Sequence, residues 1–241
     1  RVLFVPAQTP RRAPRAIVAA MGEMVSFASN GHTCPGYIAG SGPGVLVIQE
    51  WWGLVPHIKD VVDRFAAAGF TAMAPDLYHG DVASEPDGAG KLMMAMNLAT
   101  AAKDLSGAVD LLVERTSRPK VGVVGFCMGG GLTLALACQR PDAVAAAAPY
   151  YGAIPWEDLQ PDWSQLAAKV VGEYAENDGW ASPQVARALE AQLRDLGKDV
   201  AVHIHPGTEH AFFNDTRPEV YDAAASAEAF DRTIGLFRET L

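Results

Sequence analysis

Residues 121–131 read VGVVGFCMGGG. The first six are a short apolar run rich in valine, which predicts a buried strand. The glycines after them open an apolar helical segment, GGGLTLALACQR (129–140), which Pro141 stops. Between strand and helix lies the frame Gly125-Phe126-Cys127-Met128-Gly129. This is the strand–turn–helix context in which an elbow lifts a nucleophile above a sheet. The turn is so tight that side chains at 125 and 129 would strike neighbouring backbone. The central residue also sits at the positive end of the helix dipole, which favours a thiolate. An inert buried thiol is the ordinary alternative for a lone cysteine. The context favours Cys127 as nucleophile.

Outward from the elbow, strands and helices alternate. Towards the N-terminus, GVLVIQE (44–50) reads as a strand, HIKDVVDRFAAAG (57–69) as a helix closed by Gly69, and TAMAPDLY (71–78) as the next strand and its exit. A polar loop is expected over 81–90, then helix from Lys91 to about Thr116, broken near Asn97–Thr100. Towards the C-terminus come strands at 142–152, 168–177 and 199–207, an amphipathic helix at 183–197 and a terminal helix at 218–241. Such alternation implies crossover connections and a mostly parallel sheet with helices on both faces. Ligands in such sheets bind at the carboxyl ends of the strands. Residues 21–241 are expected to form one α/β domain. Residues 1–20 carry four arginines and no clear apolar core beside a cleavage site, and read as an extension or leader without a part in the chemistry.

The reactive residues just past strand ends are therefore informative. Asp178 follows the strand ending EYAEN, and His210 follows HIHPGTE. The chain order nucleophile, acid, base matches the order used around such elbows. The imidazole would take the thiol proton, and the carboxylate would fix its tautomer. Glu176 is the rival acid; His203 and His205 are rival bases, but they lie within a strand. Glu50 ends the strand GVLVIQE ahead of Trp51, Trp52 and Gly53. A carboxyl group there is expensive to bury without a partner; the alternative is an exposed carboxylate at a strand end, paired with Lys59. The loop after Glu50 faces the elbow, so one of its N–H groups and that of Met128 could form an oxyanion hole.

Composition narrows the functional class. A net charge of −9 disfavours nucleic acid and anionic membrane as partners. Three cysteines (Cys34, Cys127, Cys138) make no disulfide framework, and no Cys/His cluster has metal-ligand spacing in sequence. No metal or organic cofactor is indicated. The thiols fit a reducing, cytoplasmic compartment, and no apolar run approaches the ~20 residues of a membrane span.

The combination GFCMGG, QEWWG, APDLYHG, ENDGW and HPGTEHAFF resembles the dienelactone hydrolase family (carboxymethylenebutenolidases), from about Met21 to the C-terminus. The resemblance implies an α/β-hydrolase fold, a Cys127–His210–Asp178 triad and hydrolysis of a small enol-lactone by a monomer or homodimer. It also implies that Glu50 contacts the thiol and helps generate thiolate when substrate arrives, and that the N–H groups of Trp51 and Met128 are the oxyanion donors. Well-known members bind the substrate carboxylate with two arginines; their places are taken here by Gly80 and Asn214. His79 and Arg217 are the candidate substitutes, with Trp52 and Trp180 as further candidate substrate contacts. The expectation is a cysteine-dependent hydrolase of a small lactone or activated ester. The alternatives are a broad carboxylesterase or thioesterase, and a non-catalytic redox-sensing thiol protein on the same scaffold.

Overall fold

The computed structural model describes residues 22–29 and 31–241. The expected leader over 1–20 lies outside the described residues. Eight strands form one sheet: β1 (Glu23–Ser29), β2 (His32–Gly40), β3 (Gly44–Ile48), β4 (Thr71–Pro75), β5 (Val121–Phe126), β6 (Val144–Tyr150), β7 (Lys169–Asn177) and β8 (Val200–Glu209). Their spatial order is β1-β2-β4-β3-β5-β6-β7-β8. Strands β3 to β8 are mutually parallel, whereas β2 runs antiparallel to both β1 and β4. Every residue of β3 and β5 is buried, which is why these strands are unbroken apolar runs rather than alternating ones.

Helices cover both faces. On one face α1 (Pro56–Ala67) meets the terminal helix α6 (Ala223–Thr240) through Phe65, which packs against Phe230 and Phe237 at 5.0 and 6.0 Å between ring centroids. On the other face α3 (Leu98–Thr116) lies beside α4 (Met128–Gln139), and Arg140 bridges them by donating to the Ser106 hydroxyl and pairing with Asp110. The remaining helices are α2 (Pro86–Ala95) and α5 (Pro183–Asp195), the latter packed on β7 and β8. The arrangement is an α/β-hydrolase fold.

Three local differences from the sequence expectations have physical causes. The hairpin β1–β2 was not anticipated, because its strands mix polar residues with Pro35 and Gly36, which dilute a strand pattern. Part of the loop expected over 81–90 is the start of α2, whose first residue is Pro86; proline suits a first helical turn, where its missing N–H has no partner to lose. The terminal helix begins at Ala223 rather than 218, because the Asp222 carboxylate accepts from the Ala225 N–H at 2.8 Å and caps it there. The break before α3 falls where expected: Asn97 Oδ1 accepts from Thr100 N at 2.9 Å.

Candidate active site

The sheet brings six chain exits to one edge. Glu50 follows β3, Tyr78 follows β4, Cys127 follows β5, Tyr151 follows β6, Asp178 follows β7 and His210 follows β8.

Cys127 has φ 55° and ψ −119°, a backbone state that ordinary side chains avoid. The flanking glycines make that turn possible. A Cβ on Gly125 would stand 2.2 Å from the carbonyl oxygen of Gly129, and a Cβ on Gly129 would stand 2.5 Å from those of Ile48 and Gln49. The thiol is buried. Burial, then the nearby charges of Glu50 and Asp178, pushes its pKa well above the ordinary thiol value. The backbone N–H groups of Met128 and Trp51 face the sulfur and act in the opposite sense, stabilising its anion. The resting group is therefore a thiol, with two amide donors already directed at the space where negative charge would form.

His210 Nδ1 donates to Asp178 Oδ2 at 2.6 Å. Asp178 Oδ1 accepts from the N–H groups of Trp180 and Ala181 at 2.8 and 2.9 Å. Burial alone would raise the Asp178 pKa, but His210 and the two amides outweigh it and hold the carboxyl below its usual value. The rings of Tyr151 and Trp180 make edge contacts with the imidazole, at 5.0 and 5.4 Å between ring centroids. Two of the rival residues are occupied elsewhere. Glu176 accepts from the Gly207 N–H, and His205 donates to the buried Glu173, which Arg232 also binds.

Glu50 is buried, and its partner is Asn214, whose Nδ2 donates to Glu50 Oε2 at 2.9 Å. Lys59 does not pair with it; the ammonium lies over the Tyr37 ring. Trp51 and Trp52 meet edge to face at 5.2 Å. Trp52, Asn214 and Arg217 line a cleft of about 290 Å³, with Arg217 paired to Glu219. His79 is not beside the thiol: its Nε2 contacts Asp104 on α3. A larger cleft of about 690 Å³ lies by Gly40–Gly42, Thr71 and Arg115, at the opposite end of the strands, and contains none of these groups.

Two tyrosines were missed by sequence reasoning. Tyr151 is fully buried, its ring touches His210, and its hydroxyl has no hydrogen-bond partner among the described residues. Burial, then the charges of Glu50 and Cys127, pushes that hydroxyl well above the ordinary phenol value. Tyr78 donates to Met128 Sδ at 3.4 Å. The available signal was positional: both follow strand ends, in APDLY and APYYG.

An elbow cysteine faced by paired amides, with a half-buried imidazole bound to a buried carboxylate at the same sheet edge, is the furniture of an α/β-hydrolase. The comparisons with known proteins specify which one. Residues 35–241 match the model of the dienelactone hydrolase family, and the chain belongs to that family. Similar proteins include "Protein usf" of Aquifex pyrophilus, 39% identical over 92% of this chain and 100% of its own length. A "Putative carboxymethylenebutenolidase" of Aquifex aeolicus is 36% identical, again over 92% of this chain and 100% of its own length. Among solved structures, a "Putative Dienelactone Hydrolase" from Klebsiella pneumoniae superposes with a TM-score of 0.82 at 26% identity, covering 90% of this chain and 98% of that one. The protein is thus a hydrolase of the dienelactone hydrolase kind, acting on ester or lactone bonds. Among the described residues, no helix is long and apolar enough to cross a membrane.

Proposed function

We propose that the protein hydrolyses small enol-lactones or activated esters through a cysteine acyl-enzyme. The observation that carries this reading is the position of Cys127: a strained, buried thiol faced by the N–H groups of Met128 and Trp51, with Glu50 and Asp178 close enough to perturb it. As substrate enters, the thiol proton passes to His210, directly or by way of Glu50, and leaves an imidazolium. The thiolate attacks the carbonyl carbon, and the carbonyl oxygen takes the negative charge between the two amides. Collapse breaks the C–O bond, and the departing enolate or alkoxide is protonated by the imidazolium of His210. The imidazole then removes a proton from water, the hydroxide attacks the thioester, and the thiolate leaves. Asp178 holds His210 in the tautomer this sequence requires.

A thiol suits this work because its anion forms far more readily than an alkoxide and attacks activated carbonyls well. It is also a good leaving group, which favours reactive lactones and esters over amides. Keeping it protonated until substrate binds limits oxidation.

The position of Asn214 on Glu50, and the pairing of Arg217 with Glu219, favour a second reading of specificity: a broad carboxylesterase or thioesterase taking uncharged acyl groups. One experiment addresses both readings. The protein is treated with stoichiometric iodoacetamide from pH 5 to 9, the alkylated cysteine is mapped by mass spectrometry, and hydrolysis of dienelactone and of a p-nitrophenyl ester is followed in the same samples. Selective alkylation of Cys127 with parallel loss of turnover is expected. Turnover that survives alkylation of Cys127 refutes the mechanism. A kcat/KM for the simple ester well above that for the lactone selects the second reading.

A further inference from the structure

A second cluster of chemically capable side chains stands apart from the elbow. His32 opens β2, His79 lies in the turn after β4, and Asp104 sits on α3. Residues from three distant parts of the chain thus meet at one carboxylate. Asp104 is completely buried. Its Oδ1 accepts from the Ser29 hydroxyl at 2.5 Å and from His32 Nε2 at 2.9 Å, and its Oδ2 accepts from His79 Nε2 at 2.9 Å. Among the described residues, no lysine or arginine pairs with Asp104. A carboxylate withdrawn from water in this way calls for a compensating charge.

We propose that His32, His79 and Asp104 bind one divalent transition-metal ion, Zn²⁺ being the best fit. Two imidazole nitrogens and one carboxylate oxygen are a donor set that selects Zn²⁺ and its neighbours over Mg²⁺ or Ca²⁺. The three ligand atoms already lie within 4.8 Å of one another. A tetrahedral ion with bonds of about 2.0–2.2 Å sets its ligand atoms roughly 3.3 Å apart, so each histidine nitrogen opens slightly from its 2.9 Å contact with Asp104 to admit the ion. No covalent rearrangement is needed. Each neutral imidazole moves its proton from Nε2 to Nδ1, which frees the Nε2 lone pair for the ion. The histidine side chains are 35% and 37% exposed, so the ion can enter from solvent and keep water in its fourth position.

The surroundings are organised to hold these ligands. The Ser29 hydroxyl orients the carboxylate from behind, as outer-shell groups do at metal centres. The backbone of His79 has φ 53°, an unfavourable state for a non-glycine residue. It is fixed there from both sides, because the Asp76 carboxylate accepts from the N–H groups of Tyr78 and Gly80 at 3.2 and 2.8 Å. The bound ion would staple the β1–β2 hairpin and the β4 exit turn to α3. The same turn carries Tyr78, which contacts Met128.

The test uses the full chain without a polyhistidine tag, stripped with EDTA. ZnCl₂ is titrated by calorimetry, and CoCl₂ is followed by its visible absorption. One saturable site per chain is expected, with a cobalt spectrum of nitrogen–oxygen ligation, and Zn²⁺ should raise the melting temperature. His32→Ala and His79→Asn should each weaken binding by at least about 10-fold; asparagine tolerates the positive φ at position 79. Both variants alter half-exposed residues, and circular dichroism confirms their folding. His203→Gln, on β8, should bind as the parent does. Absence of saturable binding overturns the proposal. So does binding that survives both variants, or that disappears with Cys127→Ser instead.

Discussion

Asp178 illustrates how much one residue's surroundings decide. Its two oxygens have separate partners, the His210 ring on one side and the amides of Trp180 and Ala181 on the other. Replacing it with asparagine keeps the shape and the acceptor oxygen, but removes the charge that selects the His210 tautomer. If the proposed mechanism holds, Asp178→Asn should fold normally and lose on the order of 10³–10⁴-fold in kcat, as steady-state kinetics would show. A loss under about tenfold would mean that His210 is not the proton carrier. Glu50 and Asn214 form the complementary pair. A carboxyl group buried behind two tryptophans is tolerated because an amide from the loop after β8 reaches it. Sequence position could flag Glu50 but not its partner, since 164 residues separate the two.

At the scale of elements, the parallel strands and their exits were legible because each leaves a local trace: an apolar run, a glycine or proline stop, and then a reactive residue. The elbow glycines were legible for the same reason, and the close approaches at Gly125 and Gly129 supply the steric basis. What escaped was non-local. The β1–β2 hairpin has its pattern diluted by Pro35 and Gly36. Tyr151 gives no signal beyond its place after β6. His79 looked like a pocket residue because it adjoins Gly80, which takes the place of a family arginine, yet its side chain turns to α3. The His32–His79–Asp104 group shares no short spacing, so no motif could disclose it.

The contact between α1 and α6 is a test at the same scale. Phe237 is fully buried, packs on Phe65 and Phe70, and lies over Gly122 of β5. Truncation to alanine removes a large apolar group and leaves a cavity that the surrounding helices can only partly close. Phe237→Ala should cost about 3–5 kcal/mol in urea unfolding. Because the aromatic cluster lies beneath the sheet rather than at its carboxyl edge, residual folded protein should keep its kcat. A cost below about 1 kcal/mol would show that the α1–α6 seam is loosely packed.

For the whole molecule, the balance of buried ionisable groups points to alkaline fragility. Cys138 is pushed up to about 11 by burial and then by the charge of Asp162. Tyr150 and Tyr174 are raised above the usual phenol value, burial being the main cause in both. In each case the folded state retains a proton that the unfolded chain releases earlier. The stabilisation is fully present below the unfolded pKa values, about 8.5 for thiol and 10 for phenol, and is lost as pH rises through the folded ones. The melting temperature should therefore fall steeply between about pH 9 and 11. Tyr174→Phe, which removes one such group, should make that fall shallower. An unchanged slope would assign the alkaline loss to other groups.

The two amides that face the Cys127 sulfur follow the ends of two different strands. Met128 opens α4 just past β5 and Trp51 lies in the turn just past β3, and the strands that carry them are aligned by a ladder that ends at Ile48 opposite Gly125. The proposed cradle for negative charge is therefore a property of strand alignment and of no single residue. A slip or splay of that one ladder would disable the proposed chemistry while leaving Cys127, His210 and Asp178 in place. Loss of turnover on gentle heating could then precede any loss of helix or sheet signal, and the enzyme would act as a gauge of the alignment at the centre of its own sheet.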